Sequence, residues 1–171
     1  DCGIKACEKI ANAKERSIDF IMCDRHNPDE EVPPAIAVLD PKQPDCSYPY
    51  KELSGCGVGF KLLQAYCMKN NLELEEIYDL LDLVVVSIAS DIVPLTGENR
   101  VLAYYGLKKL NSNPGIGLQT IINFAGLNGS EITISDIVFK IGPRLNASGR
   151  IEHGKKSVQI LVSIDEDKSD L

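Results

Sequence analysis

An amphipathic helix followed by two short, unbroken apolar runs leaves this chain few folds to choose from. Ile4, Cys7, Ile10, Ala11 and Ala13 recur at three- and four-residue spacing, which places them on one face of a helix over 4–16. Ile18-Asp19-Phe20-Ile21-Met22-Cys23 and Ala35-Ile36-Ala37-Val38-Leu39 are β-prone and mostly apolar, the pattern of strands covered on both faces. A helix leading into two such strands predicts a parallel sheet of the α/β class.

Beyond Pro41 the pattern becomes mainly helical. Ser54-Gly55-Cys56-Gly57-Val58-Gly59 leads into a helix around Phe60–Tyr66, and Leu74, Ile77, Leu80, Leu81 and Val84–Ile88 predict one helix whose second half is apolar all round and central to the core. Glu98–Leu110 and Leu118–Leu127 predict two amphipathic helices bounded by Gly, Asn or Pro. Thr133-x-x-Asp136 is a capping box opening a short helix that should end near Pro143, and Lys155–Ser163 predicts a last helix.

Composition sets outer limits on function. The 171 residues carry a formal charge of −7, which excludes a generic nucleic-acid coat but not a local basic surface. Lys140, Arg144, Arg150, Lys155 and Lys156 stand against Glu152 alone, so one stretch holds four surplus positive charges within that −7 chain. Six cysteines at irregular gaps contain no C-x-x-C pair, which argues against a zinc ribbon and for reduced thiols in a cytoplasmic protein. No apolar run approaches the roughly 20 residues of a membrane span. The opening Asp1-Cys2-Gly3, without Met, is the expected start of a segment from a longer protein.

Chemistry concentrates at element ends. Cys23-Asp24-Arg25-His26 closes the first strand run, where open parallel sheets bind ligands. Asp91 follows the apolar helix, and Asp1 precedes the first helix. Three aspartates and one histidine suit Mn²⁺ or Mg²⁺, which prefer carboxylate oxygen with an occasional imidazole. The same residues also suit capping and loop-amide roles, and spacing alone does not choose between the two. The Ser54–Gly59 glycines fit either phosphate-facing amides or close helix packing. Tyr104 and Tyr105 fit either base stacking or a place in the core.

Five segments in order resemble one family: Asp1-Cys2-Gly3-Ile4-Lys5-Ala6, Asp24-Arg25-His26, Leu53-Ser54-Gly55-Cys56-Gly57-Val58-Gly59-Phe60-Lys61, Ser90-Asp91-Ile92-Val93-Pro94-Leu95-Thr96-Gly97-Glu98-Asn99-Arg100, and Gly142-Pro143-Arg144-Leu145-Asn146-Ala147-Ser148-Gly149-Arg150. Together they resemble the RecJ exonucleases of the DHH phosphoesterase superfamily, from Asp1 to about Leu161. The resemblance implies a partial parallel-sheet DHH lobe over 1–111 and a helical connector over 112–171 leading toward a second lobe. It implies 5′-to-3′ hydrolysis of single-stranded DNA by two-metal water activation, in DNA repair and recombination. Asp24 and His26 then fall on catalytic positions; Asp1, Asp24, His26 and Asp91 on Mn²⁺ or Mg²⁺ ligands; and Arg144, Asn146 and Arg150 on the DNA path. The implied partners are single-stranded DNA, single-strand-binding protein and a helicase, with the protein a monomer.

Two departures qualify these expectations. Arg25 stands where the family places the first histidine of its Asp-His-His motif, and a guanidinium has no lone pair to give a metal. The family's first motif and its glycine-rich second-lobe motif are absent from the 171 residues, so this segment alone is expected to be inactive. The alternatives are a degraded RecJ-like scaffold that binds nucleic acid, and a DHH phosphodiesterase of short oligonucleotides, which the Arg144–Arg150 segment disfavours.

Overall fold

In the computed structural model, which describes residues 3–151 and 155–163, helix α1 (Cys7–Glu15) precedes two parallel strands, β1 (Ile21–Cys23) and β2 (Ala37–Leu39). Their register pairs Ile21 with Ala37, Met22 with Val38 and Cys23 with Leu39. Met22 is buried against Ile4 and Ile10, so α1 covers one face. The expectation of strands buried on both faces does not hold among the described residues: Ile21 is 63% and Ile36 67% exposed. An unbroken apolar run shows that both faces are apolar, but not that both are covered.

The remaining helices are α2 (Gly55–Asn70), α3 (Glu75–Tyr78), α4 (Leu81–Ser90), α5 (Gly97–Ser112), α6 (Ile116–Phe124), α7 (Ile134–Asp136), α8 (Gly142–Ile151) and α9 (Lys155–Leu161). A π-helical turn, Ile137–Ile141, joins α7 to α8. The main core is built around α4, whose Val84, Val85, Val86, Ile88 and Ala89 are all buried, as its all-round apolar sequence predicts. Helices α2, α5 and α8 and the π turn pack on it. Ile137 and Ile141, both fully buried, join this same core from beyond residue 111.

Two predicted elements differ. The single helix over 74–88 is two helices, because the chain bends at Asp79 and Leu80 while the apolar spacing runs on through the bend. The bend accompanies two ties that periodicity does not register: Asp79 pairs with Lys109 at 2.6 Å, and buried Asp82 accepts the Gly115 N–H at 2.7 Å. Pro143 does not end a helix either. The capping box at Thr133 and Asp136 forms as predicted, but the chain continues through the π turn and Pro143 becomes the second residue of α8.

The loop after β2 is fastened to the start of α5. Tyr48 donates its hydroxyl proton to Glu98 at 2.7 Å, and Lys61 pairs with the same carboxylate at 3.1 Å. Asn99, fully buried, donates to the carbonyls of Glu52 at 2.6 Å and Pro94 at 3.0 Å. Glu98 and Asn99 of the fourth resemblance segment thus hold the loop in place.

Candidate metal and phosphate site

Asp24 follows β1, and its N–H donates to the Leu39 carbonyl at 3.0 Å, extending the ladder by one bond. Its side chain is fully buried and receives four donors. Oδ2 accepts the Ile4 N–H at 2.9 Å. Oδ1 accepts the Arg25 N–H at 2.7 Å, the His26 N–H at 3.1 Å and the His26 ring Nδ1 at 2.8 Å. Burial by itself would raise the carboxyl's pKa. The Ile4, His26 and Arg25 amides and the imidazole together outweigh burial and hold it well below the usual carboxylate range.

This arrangement fixes the imidazole. An ionised carboxylate only accepts, so Nδ1 carries a proton and the ring is held through it, as the rings of metal-binding histidines are held by a partner at one nitrogen. The His26 side chain is 44% exposed, so the ring reaches solvent while Asp24 stays inside.

Asp91 caps the C-terminal end of α4. Its Oδ2 receives the Ser87 hydroxyl at 3.3 Å, and that hydroxyl in turn accepts the Cys56 N–H at the start of α2 at 3.4 Å. Arg25 reaches the same oxygen: Nε lies 3.0 Å from Asp91 Oδ2, with both side chains 20% exposed. The structure thus joins the end of β1 to the end of α4 through Arg25 and Asp91, and the start of α2 meets Asp91 through Ser87.

The helix carrying Arg144 starts beside the same end of α4. A Cβ on Gly142 would lie 2.9 Å from Ser90 Oγ, so α8 begins within contact of the residue before Asp91. Arg144 is exposed and donates from Nη1 to its own helix, at the Lys140 carbonyl, at 2.7 Å. Asn146 is also exposed. Asp1 and the side chain of Arg150 lie outside the described residues, as does His153.

Of the two readings open for the glycine segment, packing accounts for Gly55 and Gly57, both buried at the start of α2, where Ser54 caps the Gly57 N–H at 3.1 Å. Tyr104 and Tyr105 are not core residues: they are 66% and 53% exposed, with rings edge to face at 5.1 Å, because α5 turns Asn99, Ala103, Gly106 and Leu110 inward instead.

The sequence reading omitted Asp40. It follows β2 as Asp24 follows β1, is 2% exposed, and accepts the Lys42 N–H at 2.8 Å. Burial pushes its pKa up, and the Asp24 charge adds to that rise against the Lys42 hydrogen bond. The signal was present, since Asp40 ends an apolar strand run in the same way as Asp24.

The two carboxylates have opposite pH signatures. Asp24, depressed in the folded state, contributes stability that is fully present above its unfolded value of about 3.9 and is lost as pH falls through its folded value. Asp40, raised, contributes stability that is lost as pH rises through its folded value. Urea unfolding of the intact protein between pH 5 and 2 should therefore show a fall in stability that Asp24→Asn flattens; an unchanged slope in that variant would show that Asp24 gains nothing from its four donors.

Among the described residues no cluster of three or more His, Cys, Asp or Glu side chains forms a cage for a metal ion, and no helix is long and apolar enough to cross a membrane. The Asp24 oxygens are met by four protein donors and Asp91 Oδ2 is met by Arg25 and Ser87.

Comparison with known proteins gives a consistent placement. The chain is 42% identical over 166 residues to the single-stranded-DNA-specific exonuclease RecJ of Bacillus subtilis, and 36% identical over 171 residues to that of Haemophilus influenzae. These matches take in 96% and 95% of this chain, which spans 20% and 30% of the length of those relatives. A crystal structure of Thermus thermophilus RecJ in complex with Mn²⁺ superposes with a TM-score of 0.82 at 28% identity, covering 99% of this chain and 25% of that one. The same protein in complex with Mg²⁺ gives a TM-score of 0.66 at 29% identity over 77% of this chain and 20% of that one. Residues 1–88 match the model of the DHH family, N-terminal domain. With that match over half its length and a fold shared with RecJ structures, the chain belongs to the DHH family.

Proposed function

We propose that this chain is the site-bearing part of a RecJ-like exonuclease that hydrolyses phosphodiester bonds of single-stranded DNA from the 5′ end, with residues 1–111 carrying the site and 112–171 leading the strand toward it. The observation that supports this most is the Asp24-oriented His26 at the strand end, linked through Arg25 to Asp91, in a fold shared with a manganese-bound RecJ. Bound Mn²⁺ or Mg²⁺ would supply an activated water and steady the leaving oxygen. Asp24, His26 and Asp91, with Asp1 outside the described residues, are the positions the resemblance gives to such ions. Asp24 acts as a positioning residue: it holds the His26 ring in one tautomer and keeps the Arg25 backbone at the strand end. We assign the phosphate backbone to Arg144 and Asn146, which are exposed on a helix that starts beside Ser90.

A second reading, a degraded scaffold that binds DNA without cutting it, is favoured by the Arg25–Asp91 ion pair. Manganese-dependent release of nucleotides from 5′-labelled single-stranded DNA by the intact protein separates the two. Release supports the exonuclease; no release from wild type, with release from Arg25→His, supports the scaffold. In either case Arg144→Ala should weaken single-strand binding and reduce the slope of log K against log salt by roughly 0.7, one phosphate contact. An unchanged affinity and slope would make Arg144 a structural residue.

A further inference from the structure

We infer that Phe139, carried on the π turn between α7 and α8, is a stacking platform for a base of single-stranded nucleic acid, beside the phosphate contact assigned to Arg144. This rests on the reading above in one respect, that a single strand passes along α8.

Helix register gives the first reason. Two α-helical turns take about seven residues. An unbroken α-helix from Ile137 would therefore bring Ile141 and Arg144 onto one face, the i, i+4, i+7 stripe that turns toward a core. Ile137 and Ile141 lie there, both fully buried, but Arg144 does not. The Gly142 N–H donates to the Ile137 carbonyl, five residues back, so the turn takes in one residue more than an α turn does. Leu145 comes to the core face in its place, and Arg144 is left exposed. The wide turn carries its surplus on the outer side, where Phe139 and Lys140 are both exposed, Phe139 at 76%. Single π turns inside helices are frequent at functional sites.

The neighbours of Phe139 give the second. It opens the stretch from Lys140 to Lys156 that holds four surplus positive charges in a chain of formal charge −7. Lys140 pairs with Asp136 at 2.8 Å, and Arg144, one turn on, donates from Nη1 to the Lys140 carbonyl at 2.7 Å. Pro143, four residues beyond Phe139, is exposed as well. An apolar ring beside a row of cations suits a single strand, whose phosphates need positive charge and whose unpaired bases need a flat apolar partner.

Binding of a fluorescent oligo-dT to the intact protein, followed by anisotropy in EDTA so that no strand is cut, tests this. Phe139→Ala should weaken binding roughly 5- to 100-fold, the range for one base stacked on one ring. The slope of log K against log salt should stay as in wild type, because no phosphate contact is lost. Phe139→Tyr should bind like wild type, and Phe139→Leu, apolar but without a ring face, as weakly as alanine. A strand of the same length without bases should bind wild type and Phe139→Ala alike, and thermal unfolding of all four proteins should coincide, since the ring is exposed. Wild-type affinity in Phe139→Ala or Phe139→Leu would overturn the inference, as would an equal loss on the baseless strand or a wild type that binds no strand. A lowered melting temperature in Phe139→Ala would overturn it too, by showing that the ring is packed in the intact protein. The nucleotide-release assay fails separately: a protein that binds through Phe139 and releases no nucleotide defeats the proposed exonuclease alone, and one that cuts DNA but binds it equally well after Phe139→Ala defeats this inference alone.

Discussion

Asp24→Ala should lower the stability of the intact protein by roughly 3 kcal/mol, since each buried donor left without an acceptor costs about 1–3 kcal/mol. Ile4 is 1% exposed and packs with Ile10 and Met22, so its N–H cannot turn to water once Asp24 Oδ2 is gone. The Arg25 and His26 amides and the His26 ring lose Oδ1 in the same step. Asp24→Asn separates acceptor loss from volume loss. The amide keeps one oxygen for the three donors at Oδ1 but sets an NH₂ group against the Ile4 N–H, so it should still destabilise, by less than alanine does. A binding consequence follows, because without the carboxylate the imidazole loses the acceptor that holds its Nδ1 proton. Manganese affinity should fall roughly 10- to 100-fold, the usual effect of removing a group that orients a ligand. Thermal unfolding and manganese titration of the two variants check both parts. Variants as stable as wild type would mean that water or a shifted loop replaces all four contacts.

Much of this site was legible as position, and little of it as partnership. Asp24, His26 and Asp91 stand at the ends of apolar elements, where a linear pattern can find them. That Asp24 is consumed by four donors, and so orients a neighbour more than it faces a ligand, depends on Ile4, 20 residues away, and on the loop geometry after β1. Arg25 was legible as a chemical misfit, but its partner was not, because 66 positions of chain separate it from Asp91. Asp40 was missed although it obeys the same strand-end rule, since no motif drew attention to it.

The fold shows the same division. The apolar centre of α4 and the capping box at Thr133 are local signals, and both form as read. The bend at Asp79 and Leu80 goes with contacts to Lys109 and Gly115, which lie on later elements. The π turn before Pro143 keeps Ile137 and Ile141 both buried on α4, a tertiary fit that periodicity of 3.6 residues cannot express.

Gly106→Ala tests the packing on which the position of Asp91 depends. A Cβ at Gly106 would lie 2.5 Å from the Leu81 carbonyl oxygen and 2.7 Å from Val85 Cβ, so α5 meets α4 nearly backbone to backbone. Two effects oppose each other. Alanine favours a helix interior over glycine by roughly 0.5–1 kcal/mol, whereas overpacking a filled core costs about 1–3 kcal/mol. The clash should win, because the nearest atom is backbone and Val85 is fully buried with nowhere to turn. The expected result is a net loss of about 1–2 kcal/mol in urea unfolding. Val85→Ala removes the Cγ1 atom that would lie 3.0 Å from the new Cβ, but leaves the Val85 Cβ and the Leu81 carbonyl in place. The double variant should therefore be less destabilised than the two single losses added together, with a coupling of at least about 0.5 kcal/mol. Strict additivity, or a Gly106→Ala protein more stable than wild type, would show that α4 and α5 have room to separate. In that case the end of α4, and with it Asp91, would not be fixed relative to Arg25 by this contact.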